Sequence, residues 1–392
     1  MSWSLGGRPI RSVLLTRLRY LGDIVMSTVL VEVLRRGDPD LRIGYLCEDG
    51  FASVLNGHQG INRLHRLRTS RLGRDARARV QGMPSAAESR STLGTILDLR
   101  GESYDLAVDL FFNPRSAWLL KLAGIPLRIG GTKKSRGALY THRVLREEVA
   151  AGKADFNRVA PGGLGEHLCR LAPLTHVESG QAFIDWLPDH FGPGELKPVL
   201  APLDEWPLAR EGLASVGIKR GSDYLLLAPC ATWPSKEWPT ARWGELVSLL
   251  LDRTNLPLAV LTAPGRASDW TDLADRIPRI RGGVMPALPL PEALAVTSSS
   301  RALVTVDGGI MHAAVGFGVP TLALFGPTDP NIWFPYTGSG PFRVLARAPH
   351  CHPCDLHECR EFICLPELEP SGVLDALDSL MTENDQPEQG KP

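Results

Sequence analysis

Short apolar runs alternate with segments of helical spacing along this chain, and the pattern occurs twice, once on each side of a proline-rich stretch. That alternation constrains the fold to helices layered on parallel sheet, because a run apolar at nearly every position must be covered on both faces. The first run, "RSVLLT" (11–16), is followed by a polar break and then by "DIVMSTVLVEVLRRG", where Ile24, Val25, Thr28, Val31 and Leu34 lie near helical spacing. Arg35 and Arg36 close that segment ahead of Gly37, as the helix dipole and C-cap preferences predict. "RIGYLCE" (42–48), "YDLAVDL" (104–110) and "LRIGG" (127–131) read as further strands, and "AWLLKLAG" (117–124) as a helix. Beyond "LPDHFGPGELKPVLAPLDEWP" (187–207), strands are expected at 224–229, 256–263, 301–306 and 321–326, with an amphipathic helix at 241–254. The expectation is an α/β chain of two domains, 1–186 and 208–380, joined by a linker at 187–207 and followed by a polar tail, 381–392. Open α/β sheets bind ligands at the carboxyl ends of their strands, so two such domains would face a cleft.

Charge and composition narrow the class of function. Lys plus Arg and Asp plus Glu both number 43, so the formal net charge is zero and a bulk nucleic-acid binder is not expected. No G-x-G-x-x-G follows residues 11–16, which disfavours a dinucleotide-dependent dehydrogenase. The N-terminal residues lack the pattern of a signal peptide, and no run approaches the ~20 apolar residues of a membrane span. A cytoplasmic protein is expected, and seven cysteines, an odd number, suit a reducing compartment. Residues 68–95 read as a loop or a mobile basic helical insertion. The basic stretch 63–79 could rest on anionic lipid, although a solvated basic loop is the commoner arrangement.

Three stretches could carry chemistry. In "RYLGDI" (19–24), Asp23 is either a helix cap or a general base at the end of a strand, and Arg17 and Arg19 could bind an anionic acceptor or be solvated. In "LAPCATWPSKEWP" (227–239), Thr232, Ser235 and Lys236 suit a phosphate or diphosphate, or else Lys236 is a surface lysine in a turn. In "VTVDGGIMHAAVGFGVPTLALFGPT" (304–328), a strand ends at Asp307, and Gly308 and Gly309 open a short helix whose N–H groups could bind an anion. Asp307 could accept hydrogen bonds from sugar hydroxyls or cap that helix, and His312 could face the cleft or sit in the core.

Together these stretches resemble glycosyltransferase family 9, the heptosyltransferases of lipopolysaccharide core assembly. The resemblance rests on the "GD" loop after the first strand, on Lys236-Glu237-Trp238-Pro239, and on Asp307-Gly308-Gly309 with His312, followed by Gly318-Val319-Pro320 and Gly326-Pro327-Thr328. It implies a GT-B type fold of two Rossmann-like domains facing a cleft, with the acceptor on the first and an ADP-sugar on the second. It implies an inverting, metal-independent transfer in which Asp23 is the general base. Thr232 and Lys236 match donor-phosphate contacts, Asp307 the residue holding heptose hydroxyls, Gly308 and Gly309 backbone donors to the diphosphate, and His312 the motif's histidine. Asp269, after the "TAPGR" loop, is a candidate for the ribose. Two positions depart from the family pattern: Gly308 and Ala231 stand where Thr or Ser is usual, so two phosphate hydroxyls are missing.

The partners implied are an ADP-sugar and a lipid-linked glycan, met at the cytoplasmic face of the inner membrane. The alternatives are a related transferase using another nucleotide sugar, or a catalytically inactive nucleotide-binding or metal-bearing scaffold. The four cysteines of "CHPCDLHECREFIC" (351–364), Cys351, Cys354, Cys359 and Cys364, could hold a structural zinc or iron–sulfur group, or be reduced thiols or occasional disulfides.

Overall fold

The computed structural model describes residues 3–69, 90–132, 134–144, 163–176, 181–192, 194–203 and 206–385. The chain divides into two compact units between Ala201 and Pro202.

The first unit carries six parallel strands: β3 (Ser12–Thr16), β4 (Arg42–Glu48), β5 (Arg63–Leu67), β6 (Leu106–Asp109), β7 (Leu127–Gly131) and β8 (His142–Val144). They lie in the order β5-β4-β3-β6-β7-β8, so the connection reverses direction between β3 and β6. All five residues of β3 are buried, which is why its centre is the unbroken apolar run Val13-Leu14-Leu15 rather than an alternation. Helices α1 (Leu21–Gly37), α2 (Thr92–Glu102), α3 (Pro114–Leu122), α4 (Leu164–Leu171) and α5 (Phe183–His190) belong to this unit. A small antiparallel sheet of β1 (Trp3–Leu5), β2 (Arg8–Ile10), β9 (Thr175–His176) and β10 (Gln181–Ala182) lies apart from the large one. Trp3 anchors it edge-on against Trp186 of α5 and against His176. These two- and three-residue strands carry no periodic signal of their own, and the sequence reading did not anticipate them.

The second unit repeats the plan: β11 (Leu225–Ala228), β12 (Leu258–Val260), β13 (Gly282–Val284), β14 (Ala302–Val306), β15 (Thr321–Phe325) and β16 (Phe342–Ala346), all parallel, in the order β13-β12-β11-β14-β15-β16. Its helices are α6 (Pro207–Ser215), α7 (Thr240–Arg253), α8 (Thr271–Arg276), α9 (Leu290–Ser298), α10 (Gly309–Phe317), α11 (Pro330–Trp333) and α12 (Pro370–Asp385). Period-two alternation sorts the strands between two cores. Leu225, Leu227, Val304 and Val306 pack with Trp238 and Trp243 on one face, while Leu226, Ala228 and Leu303 pack with Tyr224 and Val296 on the other.

Local boundaries differ from the sequence reading in instructive ways. α1 starts at Leu21 with Tyr20 as its N-cap, so Asp23 stands in the first turn rather than at the cap. The segment 187–207 is not all linker, since α5 runs to His190 and α6 begins at Pro207. α12 continues to Asp385, into the stretch expected to be a polar tail. Of the region 68–95, Arg90 bridges to Leu67 and α2 begins at Thr92 behind a Ser91 cap. Residues 70–89, which hold most of the basic stretch 63–79, lie outside the described residues, as do 386–392. Among the described residues, no helix is long and apolar enough to cross a membrane.

Candidate active site

In both units the strand order reverses direction next to the first strand, and the candidate residues sit at the carboxyl ends of the strands flanking that point. This is where an open α/β sheet leaves a crevice between diverging loops.

In the first unit the crevice lies beyond β3 and β6. The chain leaves β3 through Arg17 and turns at Tyr20, a non-glycine residue at φ 69, into α1. The positive φ falls on Tyr20 and not on Gly22, and such a conformation costs on the order of 1–3 kcal/mol. It places Asp23 in the first turn of α1, 9% exposed, paired with the guanidinium of Arg17. Arg17 also donates to the Leu110 carbonyl at 2.6 Å and lies 5.1 Å from the Phe111 ring centre. Phe111 is itself fixed from below. Asp109, the last residue of β6, accepts from the Phe111 and Phe112 backbone N–H groups at 3.0 and 2.8 Å and from the Tyr140 hydroxyl at 2.5 Å. Arg17, expected as an acceptor contact, is thus buried and engaged with the carboxylate it was expected to work beside. Asp109 and Tyr140 were missed because an Asp ending a buried strand looks like any strand terminus.

Arg19 donates to Glu48 at 3.1 Å, and Arg115 at the start of α3 donates to the same oxygen at 2.9 Å. The Glu48 side chain is fully buried at the end of β4. Burial raises its pKa above the ordinary carboxylate value, and the two arginines oppose that shift. The carboxylate holds both guanidinium groups at the strand edge, with Arg19 still about a quarter exposed.

In the second unit, β11 and β14 are neighbours in register from Leu225↔Ala302 to Ala228↔Thr305, so the loops after both emerge side by side. The loop after β11 carries Ala231, Thr232 and a short 3-10 turn, Pro234–Lys236; the strand β14 ends next to Asp307. Lys236 Nζ lies 2.6 Å from Asp307 Oδ2, and Thr328, after β15, donates its hydroxyl to the same oxygen at 2.6 Å. Asp307 is therefore not the cap of α10: that position belongs to Gly308, which has no side chain to cap with. The Gly308 backbone is extended (φ −172), and a Cβ there would meet nothing closer than 3.8 Å, so the residue is not required by space or conformation. Lys236 Nζ also lies 4.1 Å from the Trp233 ring centre.

Thr232 is exposed on this loop. Asp269 lies on the neighbouring loop after β12, 2.7 Å from Arg266 Nε. Arg266 in turn forks onto both oxygens of Glu237, at 2.5 and 3.1 Å, and Glu237 accepts from the Ala231 N–H at 3.0 Å. This pair ties the "TAPGR" and "KEWP" segments together, a link that sequence separation concealed. His312 does not line the site as a charged group. It is buried on α10, 3.3 Å from the Tyr336 hydroxyl, and burial pushes its pKa down to about 4, so it is neutral at pH 7. Cys351, Cys354, Cys359 and Cys364 are free thiols, and among the described residues no three His, Cys, Asp or Glu side chains gather into a group that could hold a metal ion.

Two units of this strand order, each with its polar groups at the carboxyl edge of its own sheet, give the chain the GT-B type fold. Residues 203–361 match the profile of "Glycosyltransferase family 9 (heptosyltransferase)". Over 390 residues the chain is 26% identical to lipopolysaccharide heptosyltransferase 1 of Pseudomonas aeruginosa, covering 94% of this chain and 98% of that one. The fold is shared with the structure of Escherichia coli ADP-heptose lps heptosyltransferase II (TM-score 0.68, 20% identity, 96% and 100% coverage) and with a glycosyl transferase family 9 structure from Veillonella parvula (TM-score 0.70, 18% identity, 95% and 98% coverage). The chain is thus similar over nearly its whole length to a heptosyltransferase, and its residues 203–361 carry the profile of glycosyltransferase family 9.

Proposed function

We propose that the protein transfers a heptose from ADP-heptose to an acceptor of the lipopolysaccharide-core type, inverting the anomeric carbon and using no catalytic metal. The observation that carries this reading is the Lys236–Asp307–Thr328 centre at the carboxyl edge of β11, β14 and β15, beside the first N–H groups of α10. The chain's similarity to ADP-heptose and lipopolysaccharide heptosyltransferases supports this reading.

The chemistry follows from the side chains. Asp23 takes the proton of an acceptor hydroxyl as its oxygen attacks the anomeric carbon of the donor. The bond from that carbon to the diphosphate oxygen breaks, and the electron pair leaves with ADP. Lys236 and the N–H groups of Gly308 and Gly309 stabilise the charge that grows on the leaving diphosphate. Asp307 has lone pairs for the sugar hydroxyls, Thr232 donates to phosphate, and Asp269 accepts from the ribose. Arg17 orients the base, and Arg19 with Arg115 provides positive charge for an anionic acceptor. A lipid anchor on that acceptor would bring the reaction to a membrane surface.

Ala231 and Gly308, where two hydroxyls are missing, favour one other reading, a transferase of this kind using a different nucleotide sugar. Calorimetry against ADP-heptose, ADP-glucose, UDP-glucose and GDP-mannose, with Lys236→Ala as control, separates the two. Selective ADP-heptose binding that the control loses supports the first reading. Selective binding of another donor replaces the sugar and keeps the site. Absence of binding to all four points to a scaffold without transferase activity.

A further inference from the structure

The cysteine-rich loop of residues 350–364 is far from the site motifs in sequence, yet it closes around them. No helix or strand occurs between β16, which ends at Ala346, and α12, which starts at Pro370. The course of this segment is set by what it touches, and it touches both arms of the Lys236–Asp307–Thr328 centre. On the first arm, Ser235 donates its backbone N–H to the His357 carbonyl at 3.3 Å and its hydroxyl to the Leu356 carbonyl at 2.5 Å. The His357 ring stacks on Trp233, with centroids 3.9 Å apart and planes 22° from parallel. The same Trp233 ring carries Lys236 Nζ at 4.1 Å. On the second arm, the Cys354 and Asp355 N–H groups both donate to the Pro327 carbonyl at 3.0 Å, and His352 Nε2 donates to the Thr328 carbonyl at 3.1 Å. Between the arms, Gly326 is wedged so closely that a Cβ there would fall 2.9 Å from both the Ser235 carbonyl oxygen and Leu365 Cδ1.

We propose that His357 and His352 are positioning residues of the donor site. His357 holds Lys236 through Trp233, and His352 holds Thr328 and through it Asp307, so this loop and the two strand edges set donor affinity together. Neither histidine needs to touch the donor. Each fixes the backbone or ring that one partner of the centre leans on, so its loss loosens the centre without removing a charge. A lysine free to rotate pays more ordering entropy when it meets a diphosphate. The proposal rests on the reading that Lys236 binds the donor diphosphate.

The test measures ADP affinity by calorimetry on the full chain, with the melting temperature of each variant recorded beside it. His357→Ala should weaken ADP binding by ~3–10-fold, the worth of one aromatic stack, and His357→Phe should restore it. His352→Leu should weaken ADP as well, and His352→Gln, which keeps an N–H donor, should restore it; this pair reads the second arm even where a His357 variant fails to fold. Loss of melting temperature in His357→Ala and His352→Leu with unchanged ADP affinity overturns the proposal, because that is what a merely structural loop gives. Failure of Phe and Gln to rescue overturns it too. Lys236→Ala distinguishes the layers: weakened ADP binding there with no effect at His357 and His352 defeats only this inference, whereas unchanged ADP binding in Lys236→Ala defeats the donor-site reading itself.

Discussion

Lys236 Nζ and Asp307 Oδ2 stand 2.6 Å apart, 11% and 4% exposed, on the loops that follow two adjacent strands. A buried ion pair stabilises little in itself, but removing one member leaves the other charge stranded. Asp307→Leu or Lys236→Met alone should therefore lower stability by ~3 kcal/mol, while the two together should recover most of that loss. Denaturant unfolding of the two single variants and the double one measures it. Equal losses that simply add would show that the pair is not coupled.

Asp23→Asn keeps the shape of the side chain and removes its basicity. Transfer should fall by ~10²–10⁴, the usual contribution of a general base, with ADP affinity unchanged. Turnover measured beside ADP calorimetry checks both halves, and wild-type turnover in the variant would reduce Asp23 to a structural partner of Arg17.

Two glycines should respond in opposite ways. At Gly308 a side chain has room and an ordinary backbone, so Gly308→Ser should fold normally and strengthen ADP binding by ~2–10-fold through one added hydroxyl donor. At Gly326 a Cβ collides with the Ser235 backbone, so Gly326→Ala should cost ~1–3 kcal/mol. Melting curves and ADP titrations of both variants decide; a harmless Gly326→Ala would mean that the two arms are not tightly held.

His312 gives the fold a pH dependence. Its pKa is about 4 when folded against 6.5 for the free side chain, so between those values only the unfolded chain takes up the proton. The stability this contributes, on the order of 3 kcal/mol, is complete above pH 6.5 and is lost as the pH falls toward 4. Unfolding at pH 7.5 and pH 5 should show a drop in the wild type that His312→Gln reduces. Identical slopes in the two proteins would remove His312 from the account.

Chelation tests the metal-free reading of the transfer step. Turnover should survive extended treatment with EDTA, because in the proposed mechanism Lys236 and the α10 N-terminus stabilise the charge that a cation would otherwise neutralise. Turnover lost to EDTA and restored by a divalent cation would transfer that role to a metal. Metal analysis of the same sample reports separately on Cys351, Cys354, Cys359 and Cys364.

Much of the fold was legible because buried parallel strands and amphipathic helices write their burial directly into the order of residues. β3, β4, β7, β14 and β15 fall where the apolar runs stand, and α10 opens at the paired glycines. The short antiparallel sheet was illegible, since Thr175–His176 and Gln181–Ala182 acquire strand geometry only by pairing with each other and with Trp3–Leu5. Strand ends also marked the candidate residues, because Asp23, Lys236 and Asp307 each follow an apolar run in a small-residue setting.

The sequence alone determined two α/β units, the loops that bear polar groups, and which residue types those loops offer. These are local properties, fixed by periodicity over a few residues. Only the tertiary structure decided which of those residues meet. It buried His312 against Tyr336, gave Arg17 to Asp23, forked Arg266 onto Glu237 and folded the cysteine-rich loop back onto Trp233 and Thr328. All but the Arg17–Asp23 pair join segments tens of residues apart, and the contacts depend on the strand order 3-2-1-4-5-6, which places the first and fourth strands of each large sheet side by side. Hydrophobic patterning does not encode that order; it follows from how right-handed crossovers pack on both faces of a twisted sheet.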